Sequence, residues 1–218
     1  MGDALINING DSIQTLQLLF LLTSVSLLPS IIVMMTSFTR IVIVLSFVRN
    51  ALGIQQTPPN TVLIGIAIFL TLFIMAPVTD EITKNAYEPL RDGVITQEVA
   101  LERAQAPLKV FMLKQTEIDT LDMFMTATGQ STPENEDEIP LRVVIPAFMT
   151  SELKRAFTMG FLLLIPFLLI DVVVASTLMS MGMIMLPPAM ISLPFKILLF
   201  VTLDGWTLLF STLMRSFN

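Results

Sequence analysis

The chain has 218 residues, 54% of them hydrophobic and only 14% charged, with a mean hydropathy of +0.78, too apolar for an ordinary soluble domain. It holds no cysteine, which excludes a disulfide framework, a thiolate metal site and a thiol nucleophile, and no histidine, which removes the commonest catalytic base and zinc ligand. A formal net charge of −6 argues against nucleic acid as the main partner.

The front, "MGDALINING", carries acid rather than base and no A-x-A-like site follows, so it does not read as a simple secretory signal. An uncharged apolar run covers residues 13–39, interrupted by Pro29. Arg40 and Arg49 then bracket eight residues, too few to span a bilayer. If residues 13–52 were one helix it would measure roughly 60 Å at 1.5 Å per residue, twice a hydrocarbon core. Such runs, cut by Pro29, Pro166 and Pro194, predict kinked helices buried against other subunits. A turn is expected at Thr57-Pro58-Pro59-Asn60, and residues 61–79 have spanning length without a charge.

Residues 78–155 hold 14 acids and 8 bases, while the acids and bases outside cancel. The chain therefore divides into N-terminal apolar helices (1–79), a polar, mostly helical, extracytoplasmic insert (80–155) and a C-terminal apolar hairpin (156–218). In the insert, Val99, Leu101, Leu108, Phe111, Met112, Ile118, Leu121 and Phe124 recur at three- and four-residue spacings, the pattern of amphipathic helices with one buried face. "GQSTPENEDEIP" reads as a solvated acidic loop. The C-terminal part holds two apolar runs, 156–186 and 189–214. The fold class is an all-α membrane protein with long broken helices. Arg40 and Arg49, taken as short-loop charges, place their connection on the cytoplasmic side and the insert outside.

No phosphate loop, dinucleotide fingerprint or nucleophile elbow is present, so the chain is expected to be no enzyme and to need no cofactor or metal. A charge at the bilayer centre costs about 2.5–3.5 kcal/mol on insertion scales. Asp171, Lys196 and Asp204 interrupt apolar runs, and Glu152 stands beside one with Lys154 and Arg155. Each charge should have a partner or face water: it serves a proton path or an inter-subunit ion pair, or it marks a helix end and snorkels to the interface. Glu152 of one subunit is expected to pair with Lys196 of its neighbour. In "STLMSMGMIMLPPAMISLPF", Met179, Met181, Met183 and Met185 alternate, whereas residues two apart on a helix point about 200° apart. Gly182 and the Pro187–Pro188 pair predict a loop, with any helix ending near Leu186. Its methionines either fill gaps between helices or form a soft apolar constriction that deforms around a passing chain.

The stretches "MTSFTRIVIVLSFVRNALGIQQTPPN", "FLTLFIMAPV", "VFMLKQTEIDTLDMF" and "IPAFMTSELKRAFTMGFLLLIPFLLIDVVVASTLMSMGMIMLPPAMISLPFKILLFVTLDGWTLL" together resemble the FliP family of flagellar biosynthetic proteins, over nearly the whole chain from Leu16. Many family members begin with a cleavable signal, and the front departs from that pattern. The resemblance implies an export-gate subunit of a type III secretion apparatus, in the cytoplasmic membrane at the flagellar basal body. Members form a pentameric ring with FliR and FliQ, in contact with other export-apparatus proteins and membrane lipid. Its channel passes unfolded flagellar proteins, driven by the proton motive force. The resemblance makes Met179, Met181, Met183 and Met185 the pore gasket. The rival expectations are a small proton-coupled transporter using Asp171 and Asp204, and a scaffold whose methionines are passive.

Overall fold

The computed structural model describes residues 12–54, 56–129, 138–183 and 185–217. The polar front and most of the acidic loop lie outside the described residues. Every regular element among the described residues is helical. The first apolar run forms α1 (Ser12–Met35), and the chain breaks at Thr36-Ser37 before α2 (Phe38–Ala51). The long run is thus two helices, divided at that break and not at Pro29, which lies inside α1. The Pro-Pro turn leads into α3 (Asn60–Ile82), with Pro59 extended at the N-cap, where a missing N–H costs nothing. A π-helical segment, Thr83–Tyr87, and a short α4 (Glu88–Arg91) continue it.

The insert supplies α5 (Gln97–Gln115) and α6 (Ile118–Ala127). Then α7 (Leu141–Ser180) runs unbroken for 40 residues, about 60 Å at 1.5 Å per residue. It crosses the expected boundary at residue 155 without interruption. The chain turns back into α8 (Pro188–Thr202) and bends by 63° into α9 (Gly205–Arg215). Two helices are long and apolar enough to cross a membrane, Asn60–Arg91 and Leu141–Ser180, and the bent pair α8–α9 is a candidate third span.

Two apolar cores share α7. One, centred on Ile41, Val44, Leu45 and Val48 of α2, gathers Leu63 and Ala67 of α3, Ala156 of α7, and Leu209 and Leu213 of α9. The other joins Met112 of α5 and Met125 of α6 to Val143, Val144 and Phe148 of α7. The second core lies almost wholly within residues 80–155: α5 and α6 pack on the part of α7 that belongs to the insert, and α7 then continues into the C-terminal hairpin. Its amphipathic reading holds for Met112, which is buried, and for Phe111, Leu121 and Phe124, which pack against the second core. Leu101 and Ile118 face outward instead. At Gly160 a side chain has no room: a Cβ there would stand 2.4 Å from Cγ of Phe47, so the glycine lets α2 and α7 close on each other. Beyond Gly160 the character of α7 changes, with Phe161, Leu162, Leu169, Val172 and Val173 all exposed. Buried apolar area drives folding in water. An outward apolar half-helix of this kind is what lipid or other subunits cover.

Candidate functional site

The exposed half of α7 and α8 form a hairpin with the methionines at its tip. Met179 belongs to the last turn of α7, which ends at Ser180, six residues before the position expected from the prolines. Gly182 ends the helix. Its φ of +77° is left-handed, its N–H donates to the Met179 carbonyl at 3.0 Å, and the Met183 N–H donates to the Leu178 carbonyl at 3.0 Å. These two bonds define a Schellman motif with glycine at the residue after the cap. Pro187 and Pro188 act in the opposite sense from the one expected: they occupy the N-cap and first turn of α8 and so start a helix. Met179 and Met181 precede the glycine and Met183 and Met185 follow it, and all four are exposed. Met179 and Met181 are 65% and 64% exposed, Met183 is 43% exposed and Met185 is 97% exposed. Gap-filling side chains are buried, and these are not.

Some 20 residues of tip hang from one polar junction. The Asp171 carboxylate on α7 accepts from Lys196 Nζ at 2.6 Å and from Ser192 Oγ at 2.5 Å, both on α8. Lys196 is 5% exposed and Ser192 fully buried, so the ammonium is largely withdrawn from solvent with its counter-charge in place. Asp204 is not drawn to this junction. It occupies the α8–α9 corner with φ +47°, exposed, and makes no side-chain cap bond. The two carboxylates on which a proton-coupled transporter would rely are therefore apart, and one is already occupied.

Glu152 lies elsewhere, at the base of the molecule. It forms a bidentate ion pair with Arg40 of α2: Nε donates to Oε2 at 3.0 Å and a terminal nitrogen donates to Oε1. The same guanidinium donates to the Ser216 carbonyl at 2.9 Å, to Ser216 Oγ at 3.0 Å and to Gln115 Oε1 at 3.1 Å. Those five bonds match the five N–H groups of arginine. The Phe217 ring lies 3.7 Å from the guanidinium carbon, and Gln115 donates to the Phe217 carbonyl at 3.0 Å. Burial lowers the Arg40 pKa, and the hydrogen bond and charge of Glu152 oppose that shift. The node ties α2, α5, α7 and the segment after α9 together.

The expected Glu152–Lys196 pairing between subunits thus gives way to two pairs within the chain, Arg40–Glu152 and Lys196–Asp171. Arg40 also loses its vote on orientation, because a buried, paired arginine is not a loop charge. Sequence reasoning missed Arg40 as a structural partner and Ser192 altogether. The available signals were a lone arginine inside "FTRIVIVL" and the i, i+4 spacing of Ser192 and Lys196. Among the described residues no group of acids could hold a metal ion.

A 40-residue helix with one half packed in the protein and the other presenting an apolar, methionine-tipped hairpin defines an all-α membrane protein. Comparison with known proteins narrows the class. The FliP family model matches residues 21–213. The flagellar biosynthetic protein FliP of Bacillus subtilis (strain 168) is 57% identical over 203 residues, covering 93% of this chain and 92% of the relative. That of Caulobacter vibrioides is 51% identical over 223 residues, covering 100% and 84%, and that of Aquifex aeolicus is 50% identical over 211 residues, covering 96% and 88%. The chain belongs to the FliP family.

Proposed function

We propose that the chain is a subunit of the flagellar type III protein export gate in the cytoplasmic membrane, and that it catalyses no reaction. It assembles as a ring, pentameric by family resemblance, with FliQ and FliR, and the ring passes unfolded flagellar proteins. The observation that carries this reading is the exposed methionine turn at the end of the α7–α8 hairpin. Four exposed thioethers, two closing α7 before the Schellman glycine and two between that glycine and the proline start of α8, are built to meet something other than this chain.

Arranged around an axis, several such turns close an apolar constriction. Water and ions leave it readily, and unbranched, polarizable side chains deform around a passing polypeptide without demanding a fit. Replacing Met181, Met183 and Met185 together with Ala removes about three heavy atoms at each position, and the ring multiplies the gap. In vesicles containing assembled gates the variant is expected to leak small ions while export continues in part. Leu at the same positions, similar in volume but stiffer, is expected to keep the resting seal and slow export. An ion-tight triple Ala variant in such vesicles would overturn the gasket and favour the scaffold.

A further inference from the structure

We propose that Ser192 is the positioning residue for the methionine turn: with Lys196 it grips both oxygens of Asp171 and sets the register of α8 on α7. The claim about register stands on the hairpin itself; its consequence for sealing rests on the gate reading above.

Ser192 is fully buried in a helix whose neighbours Ile191, Pro194 and Phe195 are exposed. Its hydroxyl donates to Asp171 Oδ1 at 2.5 Å, well inside its 3.2 Å contact with the Ala189 carbonyl of its own helix. A hydroxyl has one proton, and the carboxylate is the stronger acceptor. Lys196, one turn further on, takes Oδ2 at 2.6 Å. Among the described residues these are the only side-chain hydrogen bonds joining α7 to α8.

Two points of attachment are needed for a physical reason. Lysine is a point charge on a flexible four-carbon stem, and it can follow a carboxylate through a slide or rotation of the helix that carries it. Serine has a single side-chain torsion and reaches Asp171 from one helical position only. The pair behaves as a hinge pin and a stop. The surrounding groove, lined by Leu169, Val173, Leu178, Ile191 and Phe195, is apolar and so favours closeness without specifying register. The methionine turn lies some nine residues beyond Asp171, roughly 13 Å at 1.5 Å per residue, and any slip at the junction moves it.

The test is backbone hydrogen exchange on the full chain in detergent, comparing wild type with Ser192→Ala and Ser192→Cys. Cysteine keeps the shape of serine with a somewhat larger sulfur in place of the oxygen, and is only a weak donor. Both variants are expected to raise exchange across residues 172–198 by about tenfold, the scale of a hydrogen bond to a charged group, while residues 38–51 and 141–155 exchange as in wild type. Wild-type protection in Ser192→Cys would show that shape, not the hydroxyl, matters and would overturn the proposal. So would an increase spread equally over the Arg40 node, which would mark a general loss of stability. In vesicles with assembled gates Ser192→Ala is further expected to leak ions. A tight vesicle alongside the confined exchange change would leave Ser192 in its role and count against the gasket.

Discussion

Removing Arg40 tests the buried node most sharply. Arg40 is 1% and Glu152 0% exposed, so Arg40→Met strips a buried carboxylate of its bonded counter-charge and leaves it only the electrostatic influence of Arg155. Breaking a buried pair by deleting one partner costs about 3–5 kcal/mol. The bonds to Ser216 and Gln115 are lost as well, at about 1 kcal/mol each, although Gln115 Oε1 keeps its 3.0 Å bond from Arg155. The double variant Arg40→Met, Glu152→Met removes both charges and fills much of their volume, leaving mainly the neutral losses of about 1–2 kcal/mol. The double is therefore expected to be more stable than the single by about 2 kcal/mol or more, which reverses the usual accumulation of damage. The protein has one tryptophan, and Trp206 packs edge-on against Phe200 at 5.1 Å, remote in sequence from both partners. Its emission during denaturation in detergent reports unfolding of the whole chain. A double variant no more stable than Arg40→Met would refute the reasoning, since the cost would then lie in shape and not in the stranded charge.

Two glycine substitutions should move stability in opposite directions in the same denaturation assay. Gly160→Ala sets a methyl against Phe47 and should cost about 1–3 kcal/mol, whereas Gly65→Ala, with open space around it in α3, should add about 0.5–1 kcal/mol; equal effects would show that the α2–α7 approach is not tight. Gly182→Ala forces a left-handed residue to carry a Cβ, at about 1–2 kcal/mol, and should speed exchange of the Met183 amide as the Schellman bonds weaken; an unchanged amide would remove glycine from the account of the turn. For orientation, a cysteine replacing Val94, which is 75% exposed in the turn before α5, should react with an impermeant thiol reagent applied outside intact cells stripped of outer barriers. Labelling only after the membrane is opened would put the insert on the cytoplasmic side.

The apolar composition, the uncharged stretches of spanning length and the three- and four-residue spacings in the insert already specify an all-α membrane protein, because the period of a hydrophobic pattern is a local property of the chain. The long motif from 145 to 209 carries the family resemblance, and the alternation of four methionines around Gly182 marks the turn. What lay beyond the sequence depends on partners distant along the chain. Nothing local says that Arg40 meets Glu152, 112 residues on, or that Lys196 has its carboxylate at Asp171 on the facing helix. A charge is equally content with any partner of opposite sign, and only the antiparallel packing of α8 on α7, and of α2 on the base of α7, decides which one arrives. The prolines illustrate the same limit at short range. Pro187 and Pro188 forbid a helix before them as readily as they begin one after them, and the choice fell to Gly182, whose left-handed backbone had closed α7 first.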